Sequence, residues 1–243
     1  MPVFPKALAV VTDIEGNTTP ISFVKGTLFP YARSRLAPFL AAQTGEAEVA
    51  EALGAAAAMG GVKASDLGAL SAIFRGWMDQ DAKVQPLKDL QGLIWRDGYR
   101  RGDLRGAVFP DAVDGLRAWS AQGLKLAVYS SGSVLAQKLL FSTTRAGDLA
   151  LLFSAFFDTT TGAKREPASY RKIAAALETP VDRIVFLSDV VEELDAAAAV
   201  GMMAVQVVRP GEGTKAGDHH PVVGSFAELI VGEGAHRKAG QGA

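Results

Sequence analysis

The sequence predicts an α/β protein in which a doubly wound, parallel, Rossmann-like sheet carries an inserted α-helical domain. Three observations predict this fold class. An apolar strand lies near the start of the chain, strands and helices alternate in its second half, and the stretch between them is rich in helix patterns but poor in strands. Strands that alternate with helices favour a parallel sheet with right-handed crossovers.

The first strand is predicted at residues 7–12, a run of small and β-branched apolar residues. Such a run is typical of a strand that is buried on both faces of a parallel sheet. It ends in Asp13 and Glu15, and Gly16 then breaks the strand. The carboxyl end of this strand is therefore acidic.

The next stretch is predicted to be helical. Pro30 suits the first turn of a helix, Gly60 and Gly61 end an alanine-rich one, and Ser65 is the expected N-cap of a third. Apolar residues recur there at the spacing of amphipathic helices. The four predicted helices span residues 31–43, 47–59, 65–80 and 87–101.

From Gly106 onward the pattern changes to alternating strands and helices. The predicted strands lie at residues 124–129, 155–157, 183–187 and 203–207. The predicted helices lie at residues 110–122, 133–142, 167–177 and 192–200.

These elements divide the chain into domains. We expect residues 1–19 and 106–231 to form the α/β core domain and residues 20–105 to form the inserted helical cap domain. Residues 232–243, rich in glycine and alanine, are expected to be a flexible tail.

The composition argues against several classes of function. The chain has a formal net charge of −1, so no strong field favours nucleic acid or a membrane surface. Cysteine is absent, which excludes disulfides and thiolate chemistry and fits a reducing compartment. No apolar run approaches the roughly 20 residues of a membrane helix, and we expect no signal segment. We therefore expect a soluble, cytoplasmic protein.

Asp13 and Glu15 are the first candidates for chemistry. In open α/β sheets, ligands bind beyond the carboxyl ends of the strands. Carboxylates at the tip of a buried strand are otherwise unfavourable. The alternative is that Asp13 only caps a turn and Glu15 is solvated, and this segment alone leaves both open.

Ser130 and Ser131 follow a predicted strand and open a helix. Hydroxyls and free backbone N–H groups at a helix N-terminus bind anions. An ordinary N-cap turn is the alternative at this position.

Asp189 and Lys164 complete the set of candidates. Asp189 also follows a predicted strand, and beside Asp13 it forms the oxygen-rich pocket that Mg²⁺ prefers; the alternative is a plain helix cap. Lys164 lies in a loop, where it is either solvated or supplies a positive charge to a phosphate or a nucleophile.

In chain order these residues give Asp-x-Glu, Ser, Lys, Asp, which resembles the four motifs of the haloacid-dehalogenase superfamily of phosphatases. Longer stretches are similar to the acireductone synthase family, the enolase-phosphatases of methionine salvage. They are DIEGNTTPISFV at 13–24, LQGLIWRDGY at 90–99, YSSGSVLAQKLLF at 129–141 and FLSDV at 186–190. Glu15 replaces the aspartate of most superfamily members, as it does in this family, whereas Asn17 replaces the family's usual threonine.

The resemblance implies a phosphatase site. It implies that Asp13 is the nucleophile and forms an aspartyl-phosphate. It also implies Mg²⁺ bound by the carboxylates of Asp13 and Asp189 and by the backbone carbonyl of Glu15. Ser130 and Ser131 would then bind the phosphate oxygens.

The resemblance implies further roles for charged residues. Lys164 would act as a catalytic and substrate-binding residue that pairs with Asp13 and the phosphate, and Glu15 would act as an acid and base. Enolisation of a 2,3-diketo phosphate needs a base, for which we rank Glu15 first and Lys88 or Gln91 second. The expected partner is a small phosphorylated substrate, with no nucleic acid or membrane, and we expect a monomer.

Two alternatives are weighed against this function. A phosphatase of the same superfamily that acts on another small phosphorylated metabolite would carry the same motifs. Response-regulator receivers also combine an aspartate, a hydroxyl and a lysine, but they are about half this length and lack the helical insertion. No Gly-x-Gly-x-x-Gly or P-loop pattern favours a nucleotide site.

Overall fold

The computed structural model describes residues 1–232, so all but the first residue of the tail predicted at 232–243 lies outside it. Contacts divide the chain into two compact units. One comprises Met1–Ile21 and Gly106–Ala243, and the other comprises Ser22–Arg105. We call them the α/β unit and the helical unit. Their assignment as core and cap domains stays a prediction.

The helical unit contains the four predicted helices, with ends shifted by a few residues. The third helix begins differently from the prediction, because Asp66 rather than Ser65 is its N-cap, and the Asp66 carboxylate accepts a hydrogen bond from the Ala69 N–H at 2.9 Å. A short π-helical turn, which was not predicted, precedes the first long helix. The elements are α1 (Ile21–Phe23), the π turn (Val24–Leu28), α2 (Phe29–Gln43), α3 (Ala47–Gly60), α4 (Leu67–Asp79) and α5 (Gln85–Arg101).

The α/β unit is built on strands and helices that alternate as predicted, and each predicted strand is present. Three strands of two residues each were not predicted. The strands are β1 (Val3–Phe4), β2 (Ala9–Thr12), β3 (Lys125–Tyr129), β4 (Ala155–Phe157), β5 (Ile184–Ser188), β6 (Met203–Val207), β7 (Val222–Val223) and β8 (Ile230–Val231). The helices are α6 (Pro110–Ala121), α7 (Val134–Ser142), α8 (Pro167–Ala176) and α9 (Val191–Ala198).

Six of these strands form one parallel sheet in the order β4-β3-β2-β5-β6-β7. This topology confirms the predicted doubly wound α/β fold class. The central strand β2 lies between β3 and β5, and Thr12 is in register with Val128 on one side and with Leu187 on the other. The residues that follow these three strands therefore meet at one edge of the sheet.

Both faces of the central strands are covered, which explains their uninterrupted apolar sequence. Residues Ala9, Val10, Val11 and Thr12 of β2 are all buried. The separate two-stranded sheet pairs β1 with β8 in parallel, so that Val3 lies opposite Ile230. Among the described residues, no helix is both long enough and apolar enough to span a membrane.

Candidate active site

Asp13 lies directly beyond β2, at the carboxyl edge of the sheet, and is buried. Its N–H donates to the carbonyl of Leu187 at 2.9 Å, which continues the sheet pairing by one residue. Its Oδ1 accepts a hydrogen bond from the Ile14 N–H at 2.8 Å, and its Oδ2 lies 2.8 Å from the Nζ of Lys164. A turn cap explains the first of these carboxylate contacts but not the second, which is a buried ion pair.

The turn after Asp13 brings a second carboxylate close to it. Gly16 has a φ of 73°, a left-handed conformation that favours glycine. A Cβ at this position would lie 3.0 Å from Oδ2 of Asp189. Glycine therefore lets the Asp189 side chain approach the turn that Asp13 begins. Glu15, in the same turn, is partly buried, and its backbone pairs with that of Thr19.

Lys164 is the buried cation of the site. Its Nζ lies 2.8 Å from Asp13 Oδ2 and 2.7 Å from Glu193 Oε2, and its side chain is only 10% exposed. Burial lowers the pKa of Lys164, but the carboxylates of Asp13 and Glu193 outweigh this and hold it above its usual value. The lysine is therefore charged at neutral pH, and the solvated alternative is excluded.

Glu193 joins the site through Lys164. Its position four residues after Asp189 predicts that it supports a metal through a water, but it does not predict this contact with the lysine. It lies in the first turn of α9, and its Oε2 also accepts a hydrogen bond from the Ser188 hydroxyl at 2.9 Å. Burial and the negative charge of Asp13 raise the pKa of Glu193 to about 7, although Lys164 and Ser188 act in the opposite direction. Two carboxylates thus share one lysine.

Asp189 follows β5 and does not cap α9, whose N-cap residue is Val190. Its Oδ2 accepts a hydrogen bond from the Thr214 hydroxyl at 3.2 Å. Burial and the nearby charge of Asp13 raise the pKa of Asp189. The helix-cap alternative is therefore wrong, and the Asp189 carboxylate lies beside the turn at Gly16 instead.

Ser130 and Ser131 lie between β3 and α7, in different environments. Ser130 is buried, and its N–H donates to the Phe157 carbonyl at 3.1 Å, whereas Ser131 is exposed. Ser133 is the N-cap of α7 and accepts a hydrogen bond from the Ala136 N–H at 3.3 Å. The cap alternative thus holds for Ser133, whereas the Ser130 hydroxyl accepts a hydrogen bond from the Gly132 N–H at 3.4 Å.

The donor set at this edge fits a hard divalent cation. Asp13 and Asp189 both offer carboxylate oxygens. Burial and the negative charge of Asp13 raise the pKa of Asp189, and a cation bound by both groups would relieve the repulsion between them. The carbonyl of Glu15 belongs to the same turn. Residues 1–232 contain no cluster of three or more His, Cys, Asp or Glu side chains able to hold a metal. Two carboxylates are a usual protein donor set for Mg²⁺, which keeps waters as further ligands.

The two histidines that the structure describes have different environments. His219 is exposed, whereas the His220 side chain is only 11% exposed and its Nε2 lies 2.8 Å from Asp195 Oδ1. His236 lies outside the described residues.

Comparison with known proteins places this geometry in a family. The profile of the family described as haloacid dehalogenase-like hydrolase matches residues 8–201. The chain is 52% identical to Enolase-phosphatase E1 of Pseudomonas aeruginosa (strain LESB58) over 223 residues, which cover 92% of this chain and 98% of that protein. It is 49% identical to the protein of the same name from Azotobacter vinelandii over 221 residues, covering 91% and 96%.

Solved structures agree with this placement. The crystal structure of the UTR4 protein from Saccharomyces cerevisiae matches with a TM-score of 0.78 and 34% identity, and the match covers 92% of this chain and all of that one. CbbY from Rhodobacter sphaeroides, at 18% identity and a TM-score of 0.55, shares the fold. The chain therefore belongs to the haloacid dehalogenase-like hydrolases and, among them, to the enolase-phosphatase family.

Proposed function

We propose that this chain is the enolase-phosphatase (acireductone synthase) of methionine salvage. It converts 2,3-diketo-5-methylthiopentyl-1-phosphate to the acireductone 1,2-dihydroxy-3-keto-5-methylthiopentene and inorganic phosphate. The observation that carries the proposal is the buried ion pair between the Asp13 carboxylate and Lys164 at the edge of the sheet. The carboxylate whose pKa the charge of Asp13 helps to raise is that of Asp189. Relatives with about 50% identity over nearly the whole chain support the substrate.

Phosphate transfer begins at Asp13. One of its carboxylate oxygens attacks phosphorus, the bond from phosphorus to the substrate oxygen breaks, and an aspartyl-phosphate forms. Water then attacks this phosphorus and releases phosphate, which restores the carboxylate. Lys164, held by Asp13 and Glu193, keeps one positive charge at the position where negative charge develops.

Mg²⁺ is the metal we propose for this site. The carboxylates of Asp13 and Asp189 and the backbone carbonyl of Glu15 would hold it. When bound, it offsets the repulsion between an anionic nucleophile and an anionic phosphate.

Ser130, Ser131 and the backbone N–H groups before α7 bind the phosphate oxygens in this proposal. Glu15 protonates the leaving oxygen and then activates the water. It is also our first choice for the base that removes the proton next to the substrate carbonyl. Lys88 and Gln91, both on α5, remain the second choice.

The remaining proposals concern the whole molecule. We propose that the helical unit is the cap domain, which limits the choice of substrate, and that the enzyme is a cytoplasmic monomer. The low net charge supports a small-molecule substrate rather than nucleic acid or membrane. Light scattering coupled to size-exclusion chromatography tests the oligomeric state.

The decisive experiment is a two-signal assay with purified protein, Mg²⁺ and the diketo phosphate. Ultraviolet absorbance follows enolisation, and a coupled colorimetric assay follows phosphate. Both signals are expected to change. A protein that releases phosphate from other small phosphate esters but leaves this substrate unchanged would be a different phosphatase of the same superfamily.

A further inference from the structure

Two buried glutamines hold loops of the candidate site through their side-chain amides. The first is Gln137 on α7, which is 1% exposed. Its Nε2 donates to the carbonyl of Gly132 at 2.8 Å and to the carbonyl of Phe157 at 2.9 Å. The Ser130 N–H donates to the same Phe157 carbonyl. One amide group therefore ties the loop of Ser130 and Ser131 to the end of β4.

The second glutamine, Gln206, makes an equivalent set of contacts. It lies on β6, on the opposite side of β2 from β3 and β4 in the strand order. It is also 1% exposed. Its Nε2 donates to the carbonyl of Asp189 at 3.0 Å and to the carbonyl of Lys215 at 2.9 Å, and its Oε1 accepts from the Gly217 N–H at 2.7 Å. This amide fixes the backbone of Asp189 against the segment that begins after Thr214, whose hydroxyl contacts the Asp189 carboxylate.

The carbonyl groups that accept hydrogen bonds from these two amides suggest a role in the site as well as in stability. Burying a side-chain amide costs free energy unless the amide is hydrogen-bonded. Each of the two glutamines donates to two backbone carbonyls. In each pair, one carbonyl belongs to a loop that carries candidate site residues. The Oε1 of Gln137 has no hydrogen-bond partner, so its useful contacts are the two that its amide N–H groups make.

We propose that Gln137 and Gln206 are positioning residues that act on separate parts of the site. Gln137 sets the loop that binds the phosphate, and Gln206 sets Asp189 as a ligand of the metal. The proposal rests on the phosphatase site proposed above. It requires that loss of one amide weakens one kind of ligand and leaves the other nearly unchanged.

The test uses Gln137→Met and Gln206→Met, which keep the side-chain length and remove the donors. Calorimetry measures the binding of Mg²⁺ alone and of inorganic phosphate at saturating Mg²⁺. We expect Gln137→Met to weaken phosphate binding by about 10-fold to 100-fold and to leave the Mg²⁺ affinity close to that of the wild type. We expect Gln206→Met to weaken Mg²⁺ binding by a similar factor and to leave phosphate binding nearly unchanged. A change of about 10-fold to 100-fold is typical for groups that orient ligands.

Each variant serves as the control for the other, because both remove a buried amide from the same unit. Equal weakening of both ligands in both variants, or no weakening in either, would overturn the proposal and leave a purely structural role. If a Met variant fails to fold, Gln137→Asn and Gln206→Asn replace it, since they keep the amide one methylene short of its acceptors. Wild-type protein that binds both ions without turning over the diketo phosphate would contradict the proposed function alone.

Discussion

Ion pairs differ between the two units of the molecule. In the α/β unit, Lys164 is buried with Asp13 and Glu193, and the buried Arg209 pairs with a partly buried Asp111, whereas Arg165–Glu192 is an exposed pair. In the helical unit each ion pair has at least one partner whose side chain is 40% or more exposed. These pairs include Arg33–Asp79, Arg35–Asp103, Arg96–Glu48 and Arg100–Asp97.

Exposed and buried ion pairs contribute differently to the stability of a protein. Exposed pairs are screened by water and contribute little to stability. A buried pair must keep both partners, because a charge left alone in the interior is strongly unfavourable. The ion pairs of the helical unit therefore keep a surface hydrated, whereas the buried pairs of Lys164 and Arg209 in the α/β unit fix geometry. The predictions below test this contrast.

The largest effect is expected from Asp13→Asn, which removes the proposed nucleophile and keeps the side-chain shape. Phosphate release should fall by about 10³-fold or more, because an amide does not form the covalent intermediate. The substitution also removes the negative charge that raises the pKa of Glu193 and Asp189, so both values should fall.

Phosphate assays and circular dichroism check this expectation. Asp79→Asn is the matched control, since it makes the same chemical change in an exposed pair of the helical unit. An Asp13→Asn protein with full phosphatase activity would remove the aspartyl-phosphate from the mechanism.

The next largest effect concerns Arg209, which is 5% exposed and lies between two aromatic rings, 4.4 Å from the centre of Phe109 and 5.1 Å from that of Phe226. Its Nε donates to the carbonyl of Asn17 at 2.9 Å, and its Nη1 donates to Asp111. Asp111→Ala leaves this guanidinium without its carboxylate. We expect the free energy of unfolding in urea to fall by about 3 kcal/mol, the low end for breaking a buried pair, because Asp111 is 24% exposed.

The same pair predicts a pH dependence. Burial raises the pKa of Asp111, but hydrogen bonds from Arg209, Ser225 and the Phe226 N–H outweigh it and hold the pKa below its usual value of 3.8. A depressed carboxyl pKa gives stability that is complete above the unfolded-state value and is lost as the pH falls through the folded-state value. The wild type should thus lose stability below about pH 4, and Asp111→Asn should lose less over that range. Equal acid sensitivity of the two proteins would argue against this role of the pair.

A smaller effect is expected from Mg²⁺. A ligand that binds only the folded protein at one site stabilises it by about 2.7 kcal/mol at 100 times its dissociation constant. Thermal unfolding with and without a chelator measures this shift, which Asp189→Asn should abolish. Hydrogen exchange should show the protection in the α/β unit and not in the helical unit, and protection spread evenly over both units would contradict the contrast.

The smallest effect is expected from Asp79→Ala in the helical unit. Its partner Arg33 is 43% exposed, and Asp79 itself is 59% exposed, so water already solvates both charges. The free energy of unfolding should change by less than about 1 kcal/mol. A change as large as that of Asp111→Ala would show that exposure does not separate the two groups of ion pairs.

The sequence predicted what local patterns control. Apolar runs and helical spacing located the long elements, and the ends of the predicted strands located Asp13, Ser130 and Asp189. Other features depend on contacts between distant residues. Three strands, β1, β7 and β8, have only two residues each. They are defined by pairing with a neighbouring strand, and two residues are too few to show a periodic pattern in the sequence.

The unpredicted contacts of the site have the same origin. Asp189 is contacted by Gln206 and Thr214, and the turn after β2 is contacted by Arg209. These three residues lie later in the chain, and the sequence around them does not specify a partner. The choice between Ser65 and Asp66 as N-cap is different. Both types of residue cap helices well, so only the backbone geometry decides between them.

The position of β2 in the sheet has a consequence for how the protein is made. Thr12 pairs with Val128 and Leu187, so one neighbour of this strand lies about 175 residues later in the chain. At about 5–20 residues per second, a ribosome needs roughly 10 to 35 seconds to deliver it. During the first part of that interval β2 has no strand to pair with, and until β5 emerges only β3 can pair with it. Chaperones that shield nascent segments should therefore matter more for this strand than for the helical segment, which is complete long before the sheet can close.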